Sequence, residues 1–220
     1  SFPSGDLIVK NNGWLEEALP DYNIKWTKFD SGADINTAFV AKEVDFAAIG
    51  SSPVARGLSA PLNIPYQVAF VLDVAGDNEA LVARNGTGIE TVADLKGKRV
   101  ALNKGSNVHY LLVRALEQAG IGYDEITPTF LAPADARAAF ASGAVDAWAI
   151  WDPFQASAEQ TLKARELTNA EGLAPNYQFY FGDREFVTGN PEAVAAIIAA
   201  IGETGDWIRA NQAAAAAELA

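Results

Sequence analysis

Cysteine and methionine are both missing from these 220 residues, and histidine occurs once, as His109. Without thiols there is no disulfide frame, thiolate nucleophile or zinc ribbon, and one imidazole leaves little room for a histidine-built metal site. Basic residues are scarce too: 16 Lys and Arg against 28 Asp and Glu give a net charge of -12. Nucleic acids and anionic membrane surfaces are gripped by basic patches, so this balance argues against both as partners. No apolar run approaches the roughly 18 residues of a spanning helix. Nor is there a P-loop, a Gly-x-Gly-x-x-Gly turn, a Gly-x-Ser-x-Gly elbow or an acidic metal cluster. No cofactor is expected. What remains is half hydrophobic and one-fifth charged, the composition of a globular chain with a real core. Its length suits one large domain or two small ones. A chain that begins at Ser1 with no methionine reads as a processed or trimmed product, and the lack of cysteine suits an oxidising compartment.

The positive signal is an internal duplication. Shifted by 101 positions, residues 15–50 align with 116–151 without a gap, with 13 of 36 positions identical. The pairs Phe29/Phe130, Asp34/Asp135, Phe39/Phe140, Val44/Val145, Asp45/Asp146 and Ile49/Ile150 carry the weight, because alanine matches are cheap in an alanine-rich chain. Each copy reads as a helix with an acidic first turn, then a short apolar strand at Val44–Ile49 or Val145–Ile150. Such runs suit parallel strands covered on both faces. Each strand leads through Gly50-Ser51-Ser52-Pro53 or Trp151-Asp152-Pro153 into another helix, with serine or aspartate as cap before proline. Alternating helix and strand predicts an α/β protein.

The second copy opens with a strand at 98–103, then Lys104-Gly105-Ser106-Asn107 leading into a helix to Ala119. Its counterpart would fall at or before Ser1, so the first lobe is expected to lack its opening strand, the natural protein being longer at that end. Strands are expected at 64–73, 78–83 and 177–181, and a short helix at Thr91–Leu95. A long alanine-rich helical region is expected to break near Gly202 and Gly205, and the closing Ala213–Ala217 helix to end without a partner.

In open α/β sheets ligands sit beyond strand ends, where helices begin. Four turns qualify: Pro3–Asp6, Gly50–Pro53, Gly105–Asn107 and Trp151–Pro153. Those at Gly50 and Gly105 are small and uncharged, and offer an anion free N–H groups with Ser51, Ser52, Ser106 and Asn107 to complete its bonds. Glu79 opens an apolar strand at the expected hinge, where a carboxylate can hold a ligand ammonium. Trp151 and Asp152 offer an apolar wall and an acceptor, or a core tryptophan and a helix cap. His109 reads as packed or pocket-lining rather than catalytic, and Trp14, Trp26, Trp148 and Trp207 as packing aromatics.

Phe29–Asp34, Ala48–Pro53 and the run Gly76-Asp77-Asn78-Glu79-Ala80-Leu81-Val82 resemble the taurine-binding proteins of ABC importers. Asp94–Leu112, Pro133–Phe140 and Ala147–Pro153 resemble the sister aliphatic sulfonate-binding proteins. The resemblance covers most of residues 5–190. It implies a periplasmic-binding-protein-like type II fold with two similar lobes, central mostly parallel sheets and a hinge cleft. Residues 1–82 plus 184–220 would form lobe I and 83–183 lobe II, without the family's first strand and closing C-terminal helices. The implied ligand site is Ser51, Ser52, Asn78, Glu79, Ser106, Asn107, Trp151 and Asp152, in a non-catalytic monomer that passes a small sulfonate to a membrane permease at the periplasmic or outer face. Glu79 is taurine-like and the Trp151-Asp152-Pro153 turn sulfonate-protein-like, so the ligand within that class stays open. Binding of nitrate or a thiamine-precursor pyrimidine, or a thiamine-pyrimidine synthase on the same fold, are the alternatives.

Overall fold

The computed structural model describes residues 4–219. In chain order the elements are α1 (Ser4–Asn12), α2 (Trp14–Ala18), α3 (Gly32–Val40), β1 (Phe46–Gly50), α4 (Ser51–Leu58), β2 (Tyr66–Val74) and β3 (Glu79–Ala83). There follow β4 (Arg99–Leu102), α5 (Asn107–Gln118), β5 (Thr127–Phe130), α6 (Pro133–Ser142), β6 (Ala147–Trp151), α7 (Phe154–Leu162) and β7 (Arg165–Asn169). The chain closes with β8 (Tyr177–Asp183), α8 (Arg184–Gly189), α9 (Pro191–Ala210) and α10 (Gln212–Leu219). Single 3-10 turns lie at Gly76–Asn78, Val92–Leu95 and Tyr123–Glu125.

Two sheets organise these elements, one ordered β1-β8-β2 and the other β5-β4-β6-β3-β7. The 101-residue shift carries α3 onto the start of α6 and β1 onto β6 end for end. It also brings β2 near β7 and β3 near β8, so β1-β8-β2 and β6-β3-β7 are the same three-strand arrangement. The middle strand is exchanged: β3 follows β2 in the chain yet joins the second sheet, and β8 follows β7 yet joins the first. This exchange moves the division away from the expected 82/83 and 183/184 boundaries. The first would cut β3, and the second would leave β8 with the wrong sheet.

The α/β class holds, but the sheets are mixed rather than mostly parallel. Among the described residues only β4 pairs in parallel, with β5 and β6. The exchanged strands β3 and β8 run antiparallel to both neighbours. Short apolar runs report burial on both faces, not direction. The counterpart of β4 in the first half would precede the described residues.

The second sheet is covered on both sides. Leu81, Ala83, Val100 and Leu102 face α5, while Ala80, Val82, Ala101 and Ile150 face α6 and α7, the two-residue alternation of a strand. Trp148 and Phe140 are fully buried there, each contributing roughly 1.5–3 kcal/mol. In the first sheet Phe181 stacks on Phe39 at 5.2 Å and meets Tyr66 edge-on at 4.3 Å. Trp14 and Trp207 pack edge to face at 5.8 Å between α2 and α9.

Two helical expectations are corrected. Helix α9 runs unbroken through Gly202 and Gly205, whose twenty-residue setting supplies enough packing to override two weak positions. Helix α10 does have a partner: Ala215 is buried, and Glu218 accepts a hydrogen bond from Asn12 of α1 at 3.1 Å. Among the described residues no helix is long and apolar enough to cross a membrane.

Candidate functional site

Gly50 ends β1 and is itself the N-cap of α4 in extended geometry (φ -74°, ψ 162°), with no side chain capping the turn. The expected serine cap is therefore corrected: Ser51 and Ser52 form the first turn of α4, and the turn itself supplies no side chain to cap its N–H groups. On the other side Ser106 is the N-cap of α5, but its hydroxyl donates back to the Asn103 carbonyl at 2.7 Å instead of capping. Neither helix start is capped by the side chain of its own N-cap residue, so both keep the positive end of a helix.

The two ends meet. The Asn107 side chain, first in α5, accepts the Ser52 backbone N–H at 2.9 Å through Oδ1. Its Nδ2 donates to Asn176 Oδ1 at 2.5 Å. Asn176 in turn receives Gln178 Nε2 at 2.8 Å and donates to the Ala75 carbonyl at 3.0 Å. Gly50 makes this approach possible, since a Cβ there would stand 2.5 Å from Asn107 Nδ2.

Glu79 completes the cluster. It begins β3 opposite Trp151 at the end of β6, and only 2% of it is exposed. Burial pushes its carboxyl up to about 8, while a hydrogen bond with the Asn107 side chain pulls the other way. Its Oε2 is buried with no hydrogen-bond partner. A buried, under-satisfied carboxyl is costly unless a ligand completes it.

Of the expected residues, Ser52, Glu79 and Asn107 are joined directly, with Ser51 and Ser106 beside them on the same two turns. Asn78 is exposed in the 3-10 turn and is bonded through its backbone, its N–H donating to the Ala75 carbonyl at 3.3 Å and its carbonyl accepting the Asp152 N–H at 3.0 Å. Asp152 is exposed and its Oδ1 accepts Ala156 N–H at 3.0 Å, which is a helix cap for α7. Trp151 is half-buried against the core on both faces of its sheet. Pro3 of the Pro3–Asp6 turn lies outside the described residues; Ser4 to Asp6 belong to α1, and the Asp6 carboxyl, raised to about 6 by burial, is bonded to the Tyr180 hydroxyl. Asn176 and Gln178 were not singled out by sequence. Their signal was faint: an asparagine ahead of an aromatic strand, and one amide inside it. Two cavities, one lined by Trp14, Glu17, Glu203 and Trp207 and one by Lys42, Asp45 and Asp183, lie away from this cluster. Among the described residues no group of three or more His, Cys, Asp or Glu is placed to hold a metal.

Two sheets with their helices thus bring the starts of α4 and α5 together on a buried polar cluster. The chain belongs to the NMT1/THI5 like family, whose model matches residues 28–215. It is 35% identical over 98% of its length to a relative from Escherichia coli (strain K12), provisionally named an aliphatic sulfonates-binding protein, and covers 67% of that relative. It is 33% identical over 79% of its length to the taurine-binding periplasmic protein of the same organism, spanning about half (53%) of it. Among solved structures it superposes on the alkanesulfonate-binding protein SsuA from Xanthomonas axonopodis pv. citri bound to MOPS, with a TM-score of 0.91 and 33% identity, over 98% of this chain and 74% of that one.

Proposed function

We propose that this chain is the substrate-binding component of an ABC importer, holding taurine or a related aliphatic sulfonate between its two halves and releasing it, unchanged, to a membrane permease. The halves are the first sheet with α1–α4 and α8–α10, and the second sheet with α5–α7. The observation that carries the reading is the buried carboxyl of Glu79 beside the converging starts of α4 and α5. A sulfonate stays ionised at any physiological pH, so neutral donors suffice and the acidic chain needs no basic cluster around it. One sulfonate oxygen takes the Ser52 N–H from Asn107, and the α5 N-terminus faces the others. In taurine the ammonium falls to Glu79, which then ionises against it. Ser51, Ser106, Trp151, Asn78 and Asp152 shape or border this site in the same reading. Closing of the halves follows from tighter binding to the closed state. The chain acts as a monomer at the periplasmic or outer face of the membrane.

A calorimetric and thermal-shift panel of taurine, ethanesulfonate, sulfate, nitrate and a thiamine-precursor pyrimidine tests this. Sulfonates are expected to bind and raise the melting temperature; preference for nitrate or the pyrimidine, or turnover of any ligand, overturns it. Glu79→Ala is expected to weaken taurine by roughly 1.5–3 kcal/mol, as for a hydrogen bond to a charged group, and to spare ethanesulfonate.

A further inference from the structure

His109 stands four residues after Gly105, on the face of α5 that looks back at its own entry turn. Its Nδ1 accepts the Gly105 backbone N–H at 3.0 Å, and its Nε2 lies 3.1 Å from the Tyr123 hydroxyl. Because Nδ1 is an acceptor, the ring proton sits on Nε2 and is donated to Tyr123. Both ring nitrogens are thus engaged. The turn they hold is conformationally demanding: Gly105 adopts φ +78°, and two residues later Asn107 reaches across to Ser52. The groups facing the ring are Lys104 of the turn, Tyr123, and Phe130 of β5 at 5.7 Å, over which the Lys104 ammonium also sits at 5.2 Å.

We propose that His109, clamped between the Gly105 N–H and the Tyr123 hydroxyl, is a positioning residue that fixes the β4–α5 turn so that Asn107 and the α5 N-terminus meet the ligand. It does not touch the ligand itself. This inference rests on the sulfonate-binding reading for its affinity consequences, but the clamp is observable without ligand. Protonating Nδ1 would set a donor against the Gly105 donor and release the turn, so the clamp works only with the neutral ring. Burial, then the neighbouring Lys104 charge, keep the imidazole below its ordinary range, which favours that neutral form.

The experiment compares the full chain with His109→Ala, His109→Asn and Tyr123→Phe. Ethanesulfonate affinity is measured by calorimetry between pH 5 and 7.5, and Gly105 amide exchange is followed without ligand. Asparagine keeps an acceptor close to the position of Nδ1. At pH 7.5, His109→Ala is expected to bind about tenfold more weakly, the effect of one lost hydrogen bond, and His109→Asn to recover most of that. Wild-type affinity is expected to fall as pH drops towards 5, whereas the asparagine variant stays flat. Unchanged affinity in the alanine variant, an equal pH slope in the asparagine variant, or tighter binding on acidification, the sign a mere positive charge near an anion would give, each overturns the clamp. Should wild type bind no sulfonate, the functional reading fails and amide exchange decides the clamp: faster exchange at Gly105 in His109→Ala but not His109→Asn supports it, and no change refutes it. If the alanine variant does not fold, Tyr123→Phe takes its place, with the same exchange readout.

Discussion

The carboxamide oxygen of Asn107, at the start of α5, accepts the backbone N–H of Ser52, at the start of α4, across 2.9 Å. A side chain from one half thereby caps a helix of the other. This is the bond a sulfonate oxygen would make, so ligand and asparagine compete for one donor.

Gly50→Ala tests how tightly that contact is built. The added methyl would lie 2.5 Å from Asn107 Nδ2, an overpacking expected to cost about 1–3 kcal/mol in urea denaturation. In an Asn107→Ala background most of that cost should vanish, a coupling of about 1 kcal/mol or more. Strictly additive losses would refute the steric account.

Stability should fall with rising pH where Glu79 titrates. Its folded value is raised from 4.5 to about 8, so the folded state binds the extra proton between those limits. The contribution is full below 4.5 and is lost as pH rises through about 8. Glu79→Gln should flatten this slope and stabilise the ligand-free protein at pH 8 and above, by on the order of 2–4 kcal/mol at 1.36 kcal/mol per unit. A slope unchanged in the glutamine variant would place the titration elsewhere. Asp6, raised from 3.8 to about 6, adds a smaller fall with rising pH between those values, which Asp6→Asn removes.

Taurine and ethanesulfonate should differ in their protons. If the ammonium meets an ionised Glu79, taurine binding at pH 6.5 releases roughly one proton, seen as a binding enthalpy that tracks the ionisation enthalpy of the buffer. Ethanesulfonate should release none. Identical buffer dependence for both would remove Glu79 from ammonium recognition.

Lys42 and Gly143 are equivalent under the 101-residue shift and share one backbone shape, φ 58° and 78°. Each follows or caps its helix with the same two bonds, Lys42 N to Phe39 O with Glu43 N to Ala38 O, and Gly143 N to Phe140 O with Ala144 N to Ala139 O. A side chain in this left-handed region is strained by about 1 kcal/mol, so Lys42→Gly should raise stability by about that much. Loss of stability would mean that the lysine stem contributes more packing than its backbone costs.

How much of this was legible follows from range. Strand cores such as 147–150 and helix starts such as Ser51-Ser52-Pro53 announce themselves through local pattern and turn chemistry, and the repeat located both copies. Pairing partners are non-local: nothing within 79–83 says that this strand leaves the half that precedes it. The continuous α9 was misread because two glycines weigh more in propensity than in a packed helix. Within the site, small polar residues on helix starts pointed to Ser52 and Asn107, and a carboxylate beginning an apolar strand pointed to Glu79. Asn176 lay beyond reach, since its role comes from a neighbour 69 residues away.

The two passages between the sheets run side by side. Ala75 N–H donates to the Asn176 carbonyl at 3.1 Å, the Asn176 amide returns a bond to the Ala75 carbonyl, and Ala170 N–H reaches Gly76 O at 3.0 Å. Gly76 nestles against Glu171 so closely that a Cβ would stand 3.1 Å from its nitrogen. Ribbons bonded to each other in this way would have to bend together, so in the binding reading proposed above a closing movement would run through both at once. Asn176 holds both Ala75 and Asn107, so one side chain ties the paired ribbons to the start of α5.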